Sequence, residues 1–271
     1  MRTNSIEEVR ETLSRIYARP VLTPTGGARV LDATMNYCPL NDLRLYYRAY
    51  GADLRLEFPE TGYLLQLIPL GGSGELTIGR ETISLAPGVG AVVSTDMRWQ
   101  LNCSADYEHL AVRIDAAALT RKLEALTGEA IGEPLQMEPQ QSADSPTARL
   151  LPRYIQSLVN SVSAAGHDVP LPDWWSAQTE QLLMTMLLHC NRHNYRHLLA
   201  EAETPEATAM EVRRAEDYIE ANWREPVTLE DLAATTGVSG FALFRSFRKF
   251  RGYSPFEFLA RTRLQRGGSR W

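Results

Sequence analysis

The most constraining feature of this chain is the segment 228–255, which reads TLEDLAATTGVSGFALFRSFRKFRGYSP. Thr228 is a favourable N-cap residue, and two acidic residues follow it in the first turn, where the helix dipole stabilises negative charge. Gly237 can adopt the positive φ that ends a helix and turns the chain, and Ser239 can cap a second helix. We attribute the small size of Ala233 to the close crossing of that second helix. The segment therefore predicts two short helices joined by a tight turn.

The second predicted helix has an apolar face and a basic face. Leu243, Phe247 and Phe250 recur at spacings of four and three residues, so we expect them to face the protein interior. The opposite face is predicted to hold Phe241, Phe244, Arg245, Arg248 and Lys249. A basic helix after a tight turn is typical of a helix-turn-helix, whose second helix enters the major groove of DNA.

The charge of the chain is distributed unevenly. Residues 240–271 contain eight Lys or Arg and one acidic residue, Glu257, which gives this segment a formal charge of +7. The whole chain has a formal charge of −5, so the remaining residues together carry −12. A generic helical hairpin on the surface is the alternative interpretation, but it does not require positive charge to be concentrated here. A basic segment in an acidic chain indicates a phosphate-binding face.

Sequence on both sides of the motif resembles the AraC/XylS family of bacterial transcription regulators. Upstream, VRRAEDYIEANWREPVTLEDLA is similar to the family's leading helix, including Ile219, Trp223 and Pro226. Downstream, GYSPFEFLARTRL is similar to the segment that follows the reading helix, where Gly252 allows a turn and Pro255 opens the next helix. The apolar side of that last helix is predicted to consist of Phe256, Leu259 and Leu264.

The resemblance implies two helix-turn-helix units joined by a long helix, but the sequence after Leu264 reads QRGGSRW. Gly267 and Gly268 would break the connecting helix. With one unit, the protein would make fewer phosphate contacts, and we expect its DNA affinity to fall steeply at physiological salt. A fragment, a frame-altered end and a naturally shortened regulator are all compatible with this ending.

The resemblance also implies roles for individual residues. The chain would be a transcription regulator, in the family's usual mode an activator, with promoter DNA and RNA polymerase as partners. Three side chains would face base edges in the major groove: Phe241, Phe244 and Arg245. An arginine there can bind guanine, and aromatic rings can contact thymine methyl groups. Four residues would contact phosphates: Ser239, Arg248, Lys249 and Arg251. The alternative is a truncated effector-binding or dimerisation module that binds DNA weakly.

The N-terminal part changes from a helical to a strand pattern. Apolar residues at helical spacing predict a helix over Ile6–Tyr17. Alternating residues predict half-buried strands at Leu43–Tyr50 and Leu54–Phe58, and turn residues at Gly71–Gly74 and Pro87–Gly88 separate further short strands. This rhythm predicts an antiparallel barrel or sandwich. With the family resemblance, it implies a cupin-like β-barrel that binds a small effector.

We therefore expect an α+β protein: an N-terminal cupin-like antiparallel β-barrel with flanking helices, and a C-terminal all-α helix-turn-helix domain. The predicted boundaries are 1–200 for the effector-binding and dimerisation domain, 201–210 for a linker and 211–271 for the DNA-binding domain. The flanking helices are predicted after Asp115, over Ala148–Ser163 and over Asp173–Leu199. The last has an apolar stripe, and the resemblance implies pairing into a homodimer through this region.

One strand offers a candidate effector-binding face. Arg44, Tyr46, Arg48 and Tyr50 alternate with apolar residues, and an arginine can bind a carboxylate in bidentate fashion while a ring covers a flat ligand. This face would suit an aromatic acid. The same alternation is typical of a solvent-facing strand, and we favour that interpretation. Two further pocket candidates are Gln66 and Trp99.

The sequence offers no catalytic or metal-binding pattern. Its three cysteines lack a CxxC pair, and the predicted barrel contains one histidine, His109, which we interpret as a satisfied polar residue. His189, His193 and His197 follow at spacings of four on a predicted helix, too far apart along it for all three to meet one ion. We predict no metal, no cofactor and no enzymatic activity. The alternative, a cupin-type enzyme, would need metal ligands that the pattern lacks.

The sequence predicts neither a signal peptide nor a membrane span. Met1–Arg10 is polar and charged, and the longest apolar run, Leu182–Leu188, is interrupted by Thr185 and too short to cross a bilayer. We therefore expect a cytoplasmic protein without a membrane partner.

Overall fold

The computed structural model describes residues 1–17, 19–26, 31–142, 149–165, 172–201 and 207–267. The chain divides into two compact units. The first unit comprises Met1–Ala116, Leu135–Val169 and Cys190–His193, and the second Ala117–Pro134, Pro170–His189 and Asn194–Trp271. Helices assigned by sequence to the N-terminal domain thus share a unit with the C-terminal helices. Half of the predicted linker, residues 202–206, lies outside the described residues, and the predicted domain boundaries stay predictions.

The first unit contains two antiparallel sheets, whose strands are numbered in chain order. The larger sheet has the order β1 (Arg2–Thr3), β3 (Ala33–Pro39), β4 (Leu43–Ala49), β11 (Glu108–Asp115), β6 (Tyr63–Gly71), β9 (Val89–Val93) and β12 (Gln140–Ser142). The smaller sheet has the order β2 (Val21–Pro24), β5 (Leu54–Phe58), β10 (Trp99–Cys103), β7 (Gly74–Ile78) and β8 (Glu81–Leu85). The expected α+β fold is confirmed. In the described residues the strands form a cupin-like sandwich of two sheets, where the sequence predicted a β-barrel.

One apolar core lies between the two sheets. Leu54 and Leu56 of β5 and Leu65 and Leu67 of β6 belong to the same buried cluster, because alternate residues of a strand point to the same face. The predicted opening helix α1 (Ile6–Ile16) is confirmed, and it buries two of its apolar residues, Val9 and Leu13. The helix α3 (Leu150–Ala165) also belongs to this unit.

The predicted single helix over Asp173–Leu199 is wrong. The structure has α4 (Asp173–Cys190) and a separate short helix, α5 (Arg196–Glu201). Just after α4, the backbone forms hydrogen bonds with a distant segment in place of helical ones. The Glu138 amide donates to the Arg192 carbonyl over 2.9 Å, and His193 forms a β-bridge with Met137. The three histidines are therefore not on one helix. The predicted apolar stripe is also incomplete, since Leu183 is buried while Leu182 is exposed.

The second unit contains α2 (Ala116–Thr127), most of α4, α5 and four C-terminal helices. Those four are α6 (Ala209–Ala221), α7 (Leu229–Thr236), α8 (Gly240–Arg251) and α9 (Pro255–Gly267). Their shared core includes Val212 and Ile219 of α6, Leu243 and Phe247 of α8, and Leu259 of α9. Among the described residues, no helix is long and apolar enough to cross a membrane.

Candidate functional site

The helix-turn-helix begins and ends as its sequence predicts. The Thr228 side chain accepts from the Asp231 amide, and the Asp231 side chain accepts from the Thr228 amide in return, which forms a capping box. Gly237 ends α7 in the left-handed conformation with φ of 74°. The Ser239 hydroxyl then accepts from the Ala242 amide over 3.2 Å and caps α8. The two helices are thereby fixed at a tight turn.

Gly240 is the residue that lets α7 and α8 approach closely. A Cβ at this position would overlap the Leu229 side chain, which lies in α7. Ala233, which was predicted to have this role, is half-buried, and the role of Gly240 was not predicted. A glycine at the first position of a predicted helix is the signal that could have identified it, because glycine is unfavourable in a helix unless close packing requires it.

The inward face of α8 is shorter than predicted. Leu243 and Phe247 are fully buried, whereas Phe250 is 42% exposed. The core around α6 covers the middle of α8 but not its last turn, so the prediction for Phe250 is wrong. Leu264 of α9 was also expected on an apolar side and is 77% exposed.

The three predicted base-reading side chains lie on the outer part of α8 and are half-buried. The ring of Phe241 meets His189 of α4 edge-on, with 5.1 Å between centroids. The ring of Phe244 lies 5.7 Å from that of Phe256 in α9. Arg245 directly follows Phe244 in the sequence and shares the partial burial of the two phenylalanines. Their contact with bases stays a prediction.

The predicted phosphate-binding side chains differ in their surroundings. Arg248 is exposed, with one nitrogen 3.7 Å from a Glu257 carboxylate oxygen, and Lys249 is also exposed. Arg251 instead makes a bidentate pair with Glu216 of α6, at 2.6 and 2.8 Å. This pair joins α6 to α8, so we expect less from Arg251 at a phosphate than from Arg248.

Other basic side chains also act within the helical unit. Arg263 donates to the carbonyls of Trp223 and Glu225, and Arg266 pairs with Glu220 over 3.1 Å. These contacts join α9 to the end of α6 and the segment after it. The local positive charge counted from the sequence is therefore only partly available to DNA.

A buried lysine connects three helices of the second unit. The Lys122 ammonium of α2 donates to the side chain of Gln181 in α4 and lies 3.8 Å from a carboxylate oxygen of Glu230 in α7. Burial, partly offset by Glu230, lowers the pKa of Lys122 to about 8.

The polar face of β4 is buried, which corrects the solvent-facing interpretation. Tyr46, Arg48 and Tyr50 lie within the sandwich core, while Leu43 and Leu45 are buried on the opposite face. Both faces are covered, so the alternation of polar and apolar residues in this strand does not distinguish a buried face from a solvent-exposed one. Arg44, at the start of β4, is exposed and lines a polar cavity of about 230 Å³ together with Arg113 and Asp115.

Of the predicted pocket residues, Tyr46 and Trp99 belong to the core that contains Arg48, whereas Gln66 does not. Tyr46 stacks its ring 4.8 Å from the Arg48 guanidinium carbon, and Trp99 belongs to the same core, stacked 3.8 Å from Phe58. Gln66 lies on the other face of β6, where its side-chain oxygen accepts from Asn191 over 2.8 Å. It lines a separate cavity of about 100 Å³ that includes Gly90 and Cys190.

Sequence reasoning missed Tyr17, Tyr63 and Tyr107, which line the same interior. Tyr17 follows α1, and its ring centroid also lies 4.8 Å from the Arg48 guanidinium carbon. Its place in the helical apolar pattern was visible, but its contact with a strand arginine was not.

His109 differs from its prediction as a satisfied polar residue. It is buried, stacks on Tyr107 at 5.1 Å, and its Nδ1 lacks a hydrogen-bond partner in the described part of the chain. Burial, with a smaller contribution from Arg48, lowers the pKa of His109 to about 3, so the imidazole is neutral. Within the described ranges, no group of three or more His, Cys, Asp or Glu is placed to hold a metal ion.

A cupin-like sandwich followed by a helix-turn-helix defines the architecture of an AraC-type transcription regulator. The profile of the AraC-binding-like domain family matches residues 9–188. The chain therefore belongs to this family.

Relatives and a solved structure extend beyond the matched domain. The chain is 25% identical over 268 residues to the probable thc operon regulatory protein of Rhodococcus erythropolis, covering 97% of this chain and 80% of that protein. It is also 25% identical over 239 residues to the XylDLEGF operon transcriptional activator 3 of Pseudomonas putida, covering 86% and 68%. The AraC-like transcriptional activator CuxR matches 98% of this chain and 94% of its own, with a TM-score of 0.53 and 15% identity, which concerns the fold alone.

Proposed function

We propose that the chain is a sequence-specific regulator of transcription that inserts α8 into the major groove of promoter DNA and binds a small effector in its sandwich. The observation that carries this proposal is the capped α7, the left-handed Gly237 and the capped α8, with basic residues in the last turn of α8. A helix held in this way can present its side chains to base edges while the preceding helix lies across the backbone.

In this proposal the side chains of α8 divide by task. Arg245 binds a guanine edge, and Phe241 and Phe244 contact thymine methyl groups. Arg248 and Lys249 bind phosphates and set affinity without sequence preference. The Ser239 end of α8 adds a phosphate contact, since helix N-termini favour anions. Arg251 contributes less because it is paired with Glu216.

The remaining assignments follow from family membership. We propose that the protein is a cytoplasmic, homodimeric activator that contacts RNA polymerase, and that it is not an enzyme. Its effector changes how α8 is presented to DNA. No metal or cofactor is part of this proposal.

A salt titration tests the phosphate contacts. The 271-residue chain is titrated against labelled DNA fragments from its own genome, with DNA binding measured by fluorescence anisotropy at several salt concentrations. Arg248→Ala should weaken binding to all fragments alike and reduce the slope of log affinity against log salt by about one. Arg98→Ala is the matched control, because Arg98 is an exposed arginine of the sandwich paired with Glu60.

Two results would contradict the proposal. Binding that is absent at low salt, where phosphate contacts are strongest, would exclude a DNA-binding regulator. An unchanged slope for Arg248→Ala would remove α8 from the backbone interface.

A second candidate function is an effector-binding or dimerising module with weak DNA binding. It is favoured by the basic side chains that are used inside the helical unit, Arg251, Arg263 and Arg266. Binding that is detectable only at low salt and shows no fragment preference would support it.

A further inference from the structure

The sandwich core contains a buried cation, Arg48, that has no counterion among the described residues. Arg48 is 1% exposed, and none of its three nitrogens has a hydrogen-bond partner in the described part of the chain. The groups that interact electrostatically with Arg48 are the phenols of Tyr17, Tyr46 and Tyr50, and no carboxylate is among them. The Tyr50 hydroxyl approaches the guanidinium without reaching hydrogen-bond geometry. An arginine cannot lose its proton in a protein, and burying an unpaired charge is strongly destabilising.

The position of Arg48 is fixed from several sides. It lies in β4, directly opposite His109 of β11 and Met35 of β3 in the sheet register. The rings of Tyr17 and Tyr46 each lie 4.8 Å from its guanidinium carbon. The two ring centroids are 6.4 Å apart, so the rings do not lie on opposite faces of the guanidinium. A guanidinium can form two parallel hydrogen bonds with a planar acceptor such as a carboxylate.

Other polar atoms of the same core also lack partners in the described ranges. They are the Tyr63 and Tyr107 hydroxyls, the Trp99 indole nitrogen and the His109 Nδ1. Buried polar groups in proteins are normally hydrogen-bonded, so unpaired atoms concentrated in one core call for a specific explanation. An indole nitrogen and a guanidinium only donate, and a hydroxyl can donate. A ligand that satisfies this set must therefore be rich in acceptors and negatively charged.

We propose that the sandwich interior binds a small organic carboxylate with a flat apolar body, whose carboxylate forms a bidentate pair with Arg48. One negative charge on the ligand would balance the positive charge of Arg48. The apolar body is covered by rings of the same core, since Tyr17 lies 5.0 Å from Phe58 and 6.3 Å from Trp99. This proposal deepens the proposed function, on which it rests for the statement that the ligand is a regulatory effector.

Calorimetry and melting curves on the full chain test the ligand class. The probes are benzoate, the neutral isostere benzamide, acetate and a neutral sugar. Benzoate should bind saturably and raise the melting temperature, whereas benzamide should bind at least about 100-fold more weakly, because it leaves the cation unpaired. Acetate should bind more weakly than benzoate, because it lacks the apolar body. Equal responses to benzoate and benzamide, or a response to the sugar alone, would overturn the carboxylate assignment.

Replacement of the arginine separates ligand binding from a structural role. Arg48→Met should weaken benzoate binding at least about 100-fold and leave the ligand-free protein as stable as wild type or more stable, because an unpaired buried charge is removed. Arg55→Met is the matched control: Arg55 lies on β5, is exposed, and pairs with Glu57 over 3.4 Å. It should keep wild-type benzoate binding. Retained benzoate binding in Arg48→Met would contradict the proposal.

If Arg48→Met does not fold, Arg48→Lys takes its place. A lysine keeps the charge but cannot form the bidentate pair, so benzoate should still be preferred over benzamide while binding at least about 10-fold more weakly than to wild type. Loss of that preference, or unchanged affinity, would contradict the proposal. DNA binding without ligand is measured on the same variants and should be retained. If the protein binds DNA but does not prefer benzoate, the ligand class is wrong and the proposed function is retained. If it binds benzoate but not DNA, the proposed function is wrong.

Discussion

At the scale of the residue, burial decides the charge state of the polar groups in the sandwich. His109 and Arg48 face each other across β11 and β4, and both are buried. Histidine responds to burial by losing its proton, and its pKa falls to about 3. Arginine cannot respond in this way. The core therefore holds one neutral imidazole beside one fixed positive charge.

The depressed pKa of His109 predicts a pH dependence of stability. The folded protein keeps the imidazole neutral, whereas the unfolded chain protonates it near its ordinary pKa of 6.5. Stability is therefore fully present above pH 6.5 and is lost as the pH falls from there towards 3, by up to about 1.4 kcal/mol per pH unit from this group. Urea denaturation between pH 4.5 and 7.5 should show a shallower decline for His109→Gln than for wild type.

The control for this comparison is His197→Gln, which removes an exposed histidine of α5. It should follow the wild-type decline. If wild type and His109→Gln decline in parallel, His109 is not the buried neutral base that the structure describes.

At the scale of the element, helix ends were easier to predict than helix contacts. Thr228, Gly237 and Ser239 fix the ends of α7 and α8 by local chemistry that is visible in the sequence. The contact between those helices depends on Gly240, whose missing side chain makes room for Leu229.

Gly240→Ala should destabilise the helix-turn-helix. The added Cβ would overlap Leu229 and push α7 and α8 apart, at a cost of about 1–3 kcal/mol in the free energy of unfolding, although alanine favours helix formation. Urea denaturation followed by circular dichroism measures the change. Gly132→Ala is the control, because nothing lies within 4 Å of its Cβ position.

A double variant distinguishes overlap from other effects. Leu229→Ala combined with Gly240→Ala should recover part of the loss, because the smaller side chain removes the overlap. A stabilised Gly240→Ala protein, or additive losses in the double variant, would contradict the close approach of the two helices.

The limits of sequence reasoning are clearest in β4 and α4. The alternation in β4 predicted the strand correctly but not that Arg48 is buried, because alternation cannot show which faces other elements cover. The helical pattern after Asp173 continues past Cys190, yet α4 ends there because residues 191–193 bond to Gln66, Glu138 and Met137. Such long-range partners leave no local signal. The ion pair between Arg251 and Glu216 could not be predicted from the sequence for the same reason.

At the scale of the whole molecule, an acidic chain carries a basic end. The formal charge of the chain is −5, and residues 240–271 carry +7. Positive charge attracts DNA of any sequence, while sequence preference depends on contacts with base edges. Affinity and specificity should therefore respond to different residues of the same helix.

The most direct test of the central claim is the base preference of Arg245. Binding sites are selected from random-sequence DNA with wild type, Arg245→Ala and the control Arg98→Ala, and the preference at each position is compared. We predict that Arg245→Ala loses about 1–3 kcal/mol of discrimination at one position and keeps the others, as Arg98→Ala keeps all of them. An unchanged preference profile for Arg245→Ala, or an equal loss on every sequence, would contradict the claim that α8 reads DNA.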